Sequence, residues 1–381
     1  MPDSQSNPVS EPAPAPFQRK GAIGRLAAIG VVVAVIAGLF LYAGGWLTPH
    51  ALTPATMVNT FEHLNGVHDG FRRNHAKGVG VTGYFESNGQ GQALSKAQVF
   101  QPGRVPLVGR LAFAGGMPFA ADSPHDVRSL ALLFKTADGE EWRTGMINIP
   151  IFPVNNPQDF HAFLVATSPD PSTGKVNGAA AGAFIGAHPE TQAALKILGG
   201  NAPTSGFGDS PYYALNAFRF VNAKGESTPV RWWAKPDQSF APANAAPADA
   251  ATPGSAPPPT PPPDKNFMFD AVIAQIHSAP LHWHLMVIVG QPGDPTAQAA
   301  SQWPADRQQI DVGTITIDAI QSEDTSPVRD INFDPTVLPD GISVSDDPLL
   351  PARAAAYSQS FTRREGEKKV PSAVSTAEVQ K

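Results

Sequence analysis

The first hydrophobic pattern along the chain is an unbroken one. Leu26 to Leu47 runs 22 residues without a charge, enough to cross a hydrocarbon core of roughly 30 Å. Arg19, Lys20 and Arg25 precede it, and Tyr42 and Trp46 sit at its far end, where aromatic belts form. This predicts a single transmembrane anchor over 26–47. Positive charge before the span keeps the N-terminus in the cytoplasm and puts the rest of the chain on the extracytoplasmic or periplasmic side. A cleaved signal peptide is the competing reading. The long polar lead and an apolar run beyond the usual length of roughly 7–15 residues favour an uncleaved anchor. Residues 1–18 are rich in Pro, Ser and Ala with little to bury, so 1–25 is expected as a disordered cytoplasmic tail.

Past the anchor the periodicity changes twice. Met57, Phe61 and Leu64 recur at helical spacing behind Thr53-Pro54, which predicts a helix over 54–70. Strand-like alternation then takes over at 78–87, 105–114, 127–136 and 142–152, with Asp138-Gly139 the clearest hairpin turn. Helical segments are expected at 157–165, 176–186 and 188–198, with Pro157 and Pro189 in their first turns. Strands resume at 213–222 and 228–235. Residues 239–264 are mostly Ala and Pro, a solvated, partly polyproline insertion. An inter-domain linker is the other reading of that stretch, but strand-like segments return at 283–290 and 312–321. A helix is expected near 347–361 and a flexible tail over 366–381. Eight strands with helices between and after them fit a closed antiparallel barrel, which buries its edges.

Composition narrows the chemistry. Net charge is −6, so nothing favours a nucleic-acid partner. The chain has no cysteine, which excludes disulfides, thiolate ligation and covalent haem attachment through C-x-x-C-H. His282-x-His284 lacks a third ligand and reads as core or surface. No nucleotide-binding loop or nucleophile elbow is present.

Two short segments nearly three hundred residues apart carry the strongest signal. The first is Arg72-Arg73-Asn74-His75-Ala76-Lys77-Gly78, leading into Val79-Gly80-Val81-Thr82-Gly83-Tyr84-Phe85. The second is Arg353-Ala354-Ala355-Ala356-Tyr357, approached through Phe333-Asp334-Pro335 and Pro348-Leu349-Leu350. Arg353 and Tyr357 at i and i+4 share a helix face. The pair resembles the two sides of the pocket in haem catalases: the first looks like the distal R-x-x-H-A-x-G segment, the second like the proximal R-x-x-x-Y segment.

The resemblance covers residues 54–365 and implies an α+β fold, an eight-stranded antiparallel β-barrel with flanking helices, placed here as a haem domain over 52–365. It implies non-covalent haem b with Tyr357 as iron ligand. A free phenol has a pKa of about 10, and Arg353 one turn earlier would help hold it as phenolate. His75 would be the distal acid/base, an imidazole titrating near neutrality being suited to move a peroxide proton. Arg72, Arg110 and Arg364 match propionate-binding positions, and Phe152 and Phe160 match pocket aromatics.

Three departures stand out. The strand that should carry a distal asparagine has Ile147 at the matching place and Asn148 one residue off, so either a bulge restores Asn148 to the pocket or the amide is missing. Asn74 replaces an apolar residue, and Ala112 stands where a serine would bond the histidine. On this resemblance the long N-terminal arm and the later domain of large catalases are expected to be missing, a trimmed form that looks like the catalase-related peroxidases. The resemblance implies cleavage of hydrogen peroxide or an organic hydroperoxide to compound I, with a small organic electron donor as reductant and the membrane as a further partner. It leaves a homo-oligomer open. The alternatives are a true catalase, an isomerase-like chemistry on fatty-acid hydroperoxides, and a haem-binding or sensing module without turnover.

Overall fold

Eight strands close into an antiparallel barrel whose alternation decides where the site lies. The computed structural model describes residues 19–43, 52–200, 204–240 and 264–381. It divides into two units, residues 1–53 and 54–381.

The first unit contributes one helix, α1 (Arg19–Ala43), whose apolar stretch runs Gly24–Tyr42 with its side chains largely exposed. Residues 19–25, expected as tail, are therefore helical: nothing between Arg19 and Arg25 breaks the turn. Residues 1–18 and 44–51, and with them the C-terminal end of the expected span, lie outside the described residues.

The second unit starts with α2 (Pro54–Asn65), shorter than expected because Gly66 takes φ +82°, a conformation that ends helices. The strands follow as β1 (Gly78–Ser87), β2 (Gly103–Phe113), β3 (Arg128–Lys135) and β4 (Glu141–Ile147). The turn between β3 and β4 uses Asp138-Gly139, with Gly139 at φ +92°. Three helices come next, α3 (Pro157–Thr167), α4 (Gly178–Ala187) and α5 (Pro189–Gly199). The strand expected over 213–222 is split into β5 (Tyr212–Tyr213) and β6 (Phe218–Val221), and Leu215 between them has φ +65°. β7 (Ser227–Pro236) and β8 (Leu281–Val289) pair with each other, so residues 241–263, outside the described residues, join two elements of one barrel. A helix not foreseen, α6 (Phe267–Ser278), precedes β8, and β9 (Gln309–Gln321) follows it. The ring runs β7-β5-β4-β3-β2-β1-β9-β8 and closes on β7, while β6 and the short β10 (Ile342–Val344) extend one side.

Inward positions fill the barrel with large rings and branched side chains, among them Phe85, Phe134, Trp142, Trp232, Trp283 and Leu285. Along β4 the inward set is Trp142, Thr144 and Met146; Glu141, Arg143, Gly145 and Ile147 face outward. Helix α7 (Leu349–Glu365) faces the outer wall of β2 to β4 across a cavity, with α2 packed beside it. The final segment is not a free tail. Its short helix α8 (Thr376–Val379) carries a Ser375/Glu378 capping box, and Val374 and Val379 are buried in the main core. Those apolar anchors and the capped turn act with ion pairs from Glu367 to Arg73 and from Lys369 to Asp330 to hold sixteen mostly polar residues down. Lys77, buried just before β1, reaches Asp122 at 2.5 Å, and the other oxygen of Asp122 accepts from Met268 N at the start of α6, tying that helix to the barrel.

Candidate active site

The cavity lies on the outside of the barrel, not within it. Gly145 and Ile147 from β4, Ser129 and Ala131 from β3, and Arg110 from β2 form its floor. Helix α7 supplies Arg353, Tyr357 and Arg364, α2 supplies Met57, Val58 and Phe61, and Phe152 and Phe160 close one end. The two sequence segments thus meet: His75 and Tyr357 line one cavity.

His75 sits at φ +55°, a left-handed conformation that a residue with a β-carbon adopts at a cost of about 1–3 kcal/mol. Neighbours hold it there. Asn74 Oδ1 accepts from His75 N at 3.0 Å and from Gly115 N at 2.7 Å. Arg110 Nη1 donates to the His75 carbonyl at 2.6 Å and Nη2 to the Ala76 carbonyl at 3.1 Å. Gly78 makes room for that arginine, since a β-carbon there would come within 2.5 Å of its Cζ. Asn74 therefore has a structural task that its departure from the apolar pattern did not reveal: its side chain ties the turn that aims His75.

His75 as a whole is half-buried, but its Nδ1 is shut off from solvent and has no hydrogen-bond partner among the described residues. Ala112, fully buried on β2, has no hydroxyl to offer it. Burial first, then the cations Arg110, Arg353 and Arg72, push the His75 pKa down to about 3, with the Phe113 backbone opposing them. The expectation of an imidazole titrating near neutrality is corrected: the group is neutral across the physiological range.

On the opposite side, Arg353 lies with its guanidinium 5.8 Å from the Tyr357 ring centre. Its Nη1 donates to Asn216 Oδ1 at 2.5 Å, and Asn216 Nδ2 donates to Asp347 Oδ2 at 2.8 Å. The other Asp347 oxygen accepts from Leu349 N at 2.9 Å, fixing the first turn of α7. Burial raises the Asp347 pKa against the opposing bond from Asn216. Gly145 faces this corner, where a β-carbon would lie 3.3 Å from Arg353 Nη2 and 3.7 Å from the Tyr357 oxygen. The floor is flat there because that residue has no side chain.

Of the other expected residues, Arg72, Arg110, Arg364, Phe152 and Phe160 all line the cavity. The Phe152 and Phe160 rings stand 5.2 Å apart. Asn148 does not join them. It exchanges bonds with Arg128, whose N donates to Asn148 Oδ1 at 2.8 Å while Asn148 N donates to the Arg128 carbonyl at 2.9 Å, and it lines a separate cavity with His125 and Tyr213. No bulge rescues it. β4 keeps its alternation through Ile147, which pairs with Ser129 and Tyr213, so the residue after it falls out of phase with the pocket face. His282 and His284 lie elsewhere; His284 sits between Asp237 and Asp311.

The sequence reading missed Glu323, Asn216 and Ser129. Glu323 contacts Arg110 across 213 positions and Arg72 across 251, a separation at which no local pattern marks a partner.

The Catalase family model matches residues 45–377. Among curated proteins the chain is 32% identical over 313 residues to a catalase-related peroxidase of Synechococcus elongatus, spanning 82% of this chain and 89% of that one. It is 27% identical over 316 residues to a catalase-related peroxidase of Mycolicibacterium paratuberculosis, 83% and 96% of the two chains. Identity to the catalase of Rattus norvegicus is 28% over 301 residues, covering 77% of this chain and 56% of that protein. A solved bacterial catalase superposes with a TM-score of 0.65 at 21% identity, over 83% of this chain and 62% of the other, which is a likeness of fold. A fungal catalase gives 0.67 at 19% identity, over 83% and 64%. With a family match that spans the whole barrel and both arms of the cavity, the chain belongs to the catalase family.

Proposed function

We propose that this chain is a haem peroxidase that reduces hydrogen peroxide or an organic hydroperoxide, with His75 as the distal acid/base and Tyr357 as the axial ligand. The family makes it an oxidoreductase acting on peroxide, and catalase family proteins generally bind haem. One observation carries the finer reading: an imidazole with a buried, unpartnered nitrogen shares a cavity with a phenol oxygen that stands beside a fixed guanidinium.

The residues fit non-covalent haem b. The body of the cavity is apolar, with Phe61, Phe152, Phe160 and Ile147. Arg72, Arg110 and Arg364 offer cations to the propionates, and the chain has no cysteine for a covalent link. Haem iron would supply the redox equivalents for splitting the peroxide bond, as a porphyrin held by an anionic oxygen ligand does. Arg353 supplies a permanent charge that favours the phenolate form of Tyr357. Asn216 and Asp347 hold that arginine in place. His75, neutral because it is buried among cations, takes the proton from one peroxide oxygen and returns it to the other. The apolar rings exclude water around that transfer.

Acid affects this site through His75. Its folded pKa of about 3 lies below the unfolded value near 6.5. The neutral form is what the folded state prefers, so the contribution is fully present above the unfolded pKa and declines as pH falls from about 6.5 towards 3. The rate of reaction with peroxide, followed by stopped flow, is therefore expected to stay level from pH 8 to about pH 5, with no titration near 6.5. An acid limb with its midpoint at 6.5 in folded protein would show that His75 is not the base, or not buried as described.

Dismutation by a true catalase is the second reading, and one observation weighs against it: Ile147 occupies the pocket face where an amide would position peroxide. A sensing module predicts haem binding without turnover. Peroxide added to haem-loaded protein with a phenolic dye separates the three readings by dye oxidation, oxygen release, or neither.

The chain also has one N-terminal helix apolar and long enough to cross a membrane, which a signal sequence would match equally. The cationic residues before it support an uncleaved single-pass anchor with the haem domain on the extracytoplasmic side. Full-length protein is expected to sediment with membranes, to resist salt and to need detergent. A chain starting at Leu52 is expected to be soluble and to take up haem. Recovery of the mature protein in the soluble exported fraction, with a new N-terminus near Gly45, would mean a cleaved signal.

A further inference from the structure

Five arginines line the cavity: Arg72, Arg73, Arg110, Arg353 and Arg364. Arg73 is answered locally. It pairs with Glu62 and Glu367, and Arg363 shares Glu62, so two cations meet two carboxylates. Arg353 stands with Tyr357. That leaves Arg72, Arg110 and Arg364, and among the described residues a single carboxylate hydrogen-bonds within the group; Glu365, exposed, and Asp330, paired with Lys369, act on Arg364 only through space. Glu323 Oε1 accepts from Arg72 Nη1 at 3.1 Å and from Arg110 Nε at 2.8 Å, and Oε2 accepts from Arg110 Nη2 at 2.9 Å. Arg364 has backbone acceptors, the carbonyls of Arg329 and Ile331. Nearby Arg329 has its own partner in Asp324.

The cluster is dry: the Glu323 side chain is 4% exposed and that of Arg110 3%. Like charges buried together are costly unless each meets an anion. Arg72 registers that crowding: burial, then Arg110 and Arg364, hold its pKa well below the usual arginine value. Burial alone would raise the Glu323 pKa, but Arg110 and Arg72 reverse it and keep the carboxylate ionised.

We propose that Glu323 sets the charge of this buried cluster, leaving two uncompensated positive charges as the complement of a ligand with two carboxylates. The proposal rests on the haem reading above and deepens it. Glu323 attracts the arginines whether or not the ligand is bound, but it repels the ligand's carboxylates. Two anions that compete for the same cations are negatively coupled, and the coupling is reciprocal. Glu323 thus stabilises the unloaded cluster and weakens haem binding. A glutamate that only ordered the arginines would do the opposite, since losing it would loosen the site and weaken binding. The two roles therefore differ in sign.

The test is a titration of the full-length, haem-free protein with ferric haem, read by absorbance, together with melting of the haem-free form and the ferric/ferrous midpoint potential. Glu323→Gln is expected to melt lower when unloaded. It should bind haem about tenfold or more tighter, as removal of one close like charge allows, and its midpoint should move to higher potential because a negative charge near the iron is gone. Weaker or unchanged binding by Glu323→Gln overturns the proposal.

If that variant does not fold, the pair Arg72→Met and Arg72→Met/Glu323→Gln decides. Arg72→Met alone leaves one uncompensated charge and should bind haem about tenfold or more weakly. The double variant restores two and should return to within a few-fold of wild type. A double variant that binds as poorly as the single one also overturns the proposal. Wild-type protein that takes up no haem overturns the haem reading itself and is told apart by that result.

Discussion

Tyr357→Phe protein is expected to fold, to keep its ring packed against Arg353, and to lose most of its haem or show a sharply altered ferric spectrum. The substitution removes one oxygen and nothing else. That oxygen is the strongest iron ligand on this stretch of α7: the helix presents Ala352, Arg353, Ala356, Tyr357, Ser360, Phe361 and Arg364 to the cavity, and the others offer nothing beyond a weak serine hydroxyl one turn away. The floor opposite is Gly145, so no side chain on the barrel face could substitute. Arg353→Leu should act in the same direction and less strongly. It withdraws the charge that favours phenolate but leaves the oxygen in place, and it also unties Asn216, with some loss of stability at the start of α7. Haem content and the ferric absorption spectrum of the two purified variants check both statements. An unchanged spectrum with undiminished haem in Tyr357→Phe would remove Tyr357 from the axial position.

The reason these residues were legible, while others were not, is physical. β1 could be placed to the residue because alternation and glycine spacing act together there: Val79 and Val81 point inward, and Gly78 and Gly80 let Arg110 and Ser326 close on the outer face. The β3–β4 turn was fixed by Asp138-Gly139, which is local chemistry. His75, Arg353 and Tyr357 sit in segments whose meaning does not depend on long-range contacts. Asn148 depended on the phase of a strand end, where one residue decides between two faces. The strand stops at Ile147, and local pattern alone did not say whether a bulge intervened.

α6 escaped notice because the Pro-rich run before it hides its start, although Phe269, Val272, Ile273 and Ile276 carry a helical stripe. The last sixteen residues read as polar tail because only Val374 and Val379 among them enter the core, and their polar anchors, such as Glu367 on Arg73 and Lys369 on Asp330, have partners far away in sequence. Glu323 had no sequence signature at all. A buried carboxylate is recognised by its partners, and those partners arrive only when β9 closes beside β1.

His75→Ala should abolish peroxide reduction, with a fall of about 10²–10⁴-fold in the rate of reaction with peroxide, the usual worth of a positioned acid/base. The cavity would keep its arginines and its Tyr357, so haem uptake should survive and separate this variant from Tyr357→Phe. The second position on the same side decides what the enzyme does after peroxide is cleaved. Dismutation asks more of the pocket than reduction by an organic donor, because a second peroxide must be held in line while it gives up protons and electrons. A fixed amide donor helps there, and the loss of one well-placed donor costs about 10²–10³ in rate.

This chain has Ile147 on the outward face of β4 beside Gly145, while the amide that follows it, Asn148, is spent on Arg128 and lies outside the cavity. Ala112 leaves His75 Nδ1 without a partner, which loosens the base as well. Wild-type protein is therefore expected to oxidise phenolic dyes and to release little oxygen. Ile147→Asn should raise oxygen release relative to dye oxidation, since the new amide lies on the pocket face and its side chain is smaller than the one it replaces, so nothing clashes. Oxygen-electrode and dye-oxidation rates measured on the same preparations test this. Oxygen evolution by the wild type at rates typical of dedicated catalases, with barely any dye oxidation, would show that Ile147 does not set the outcome.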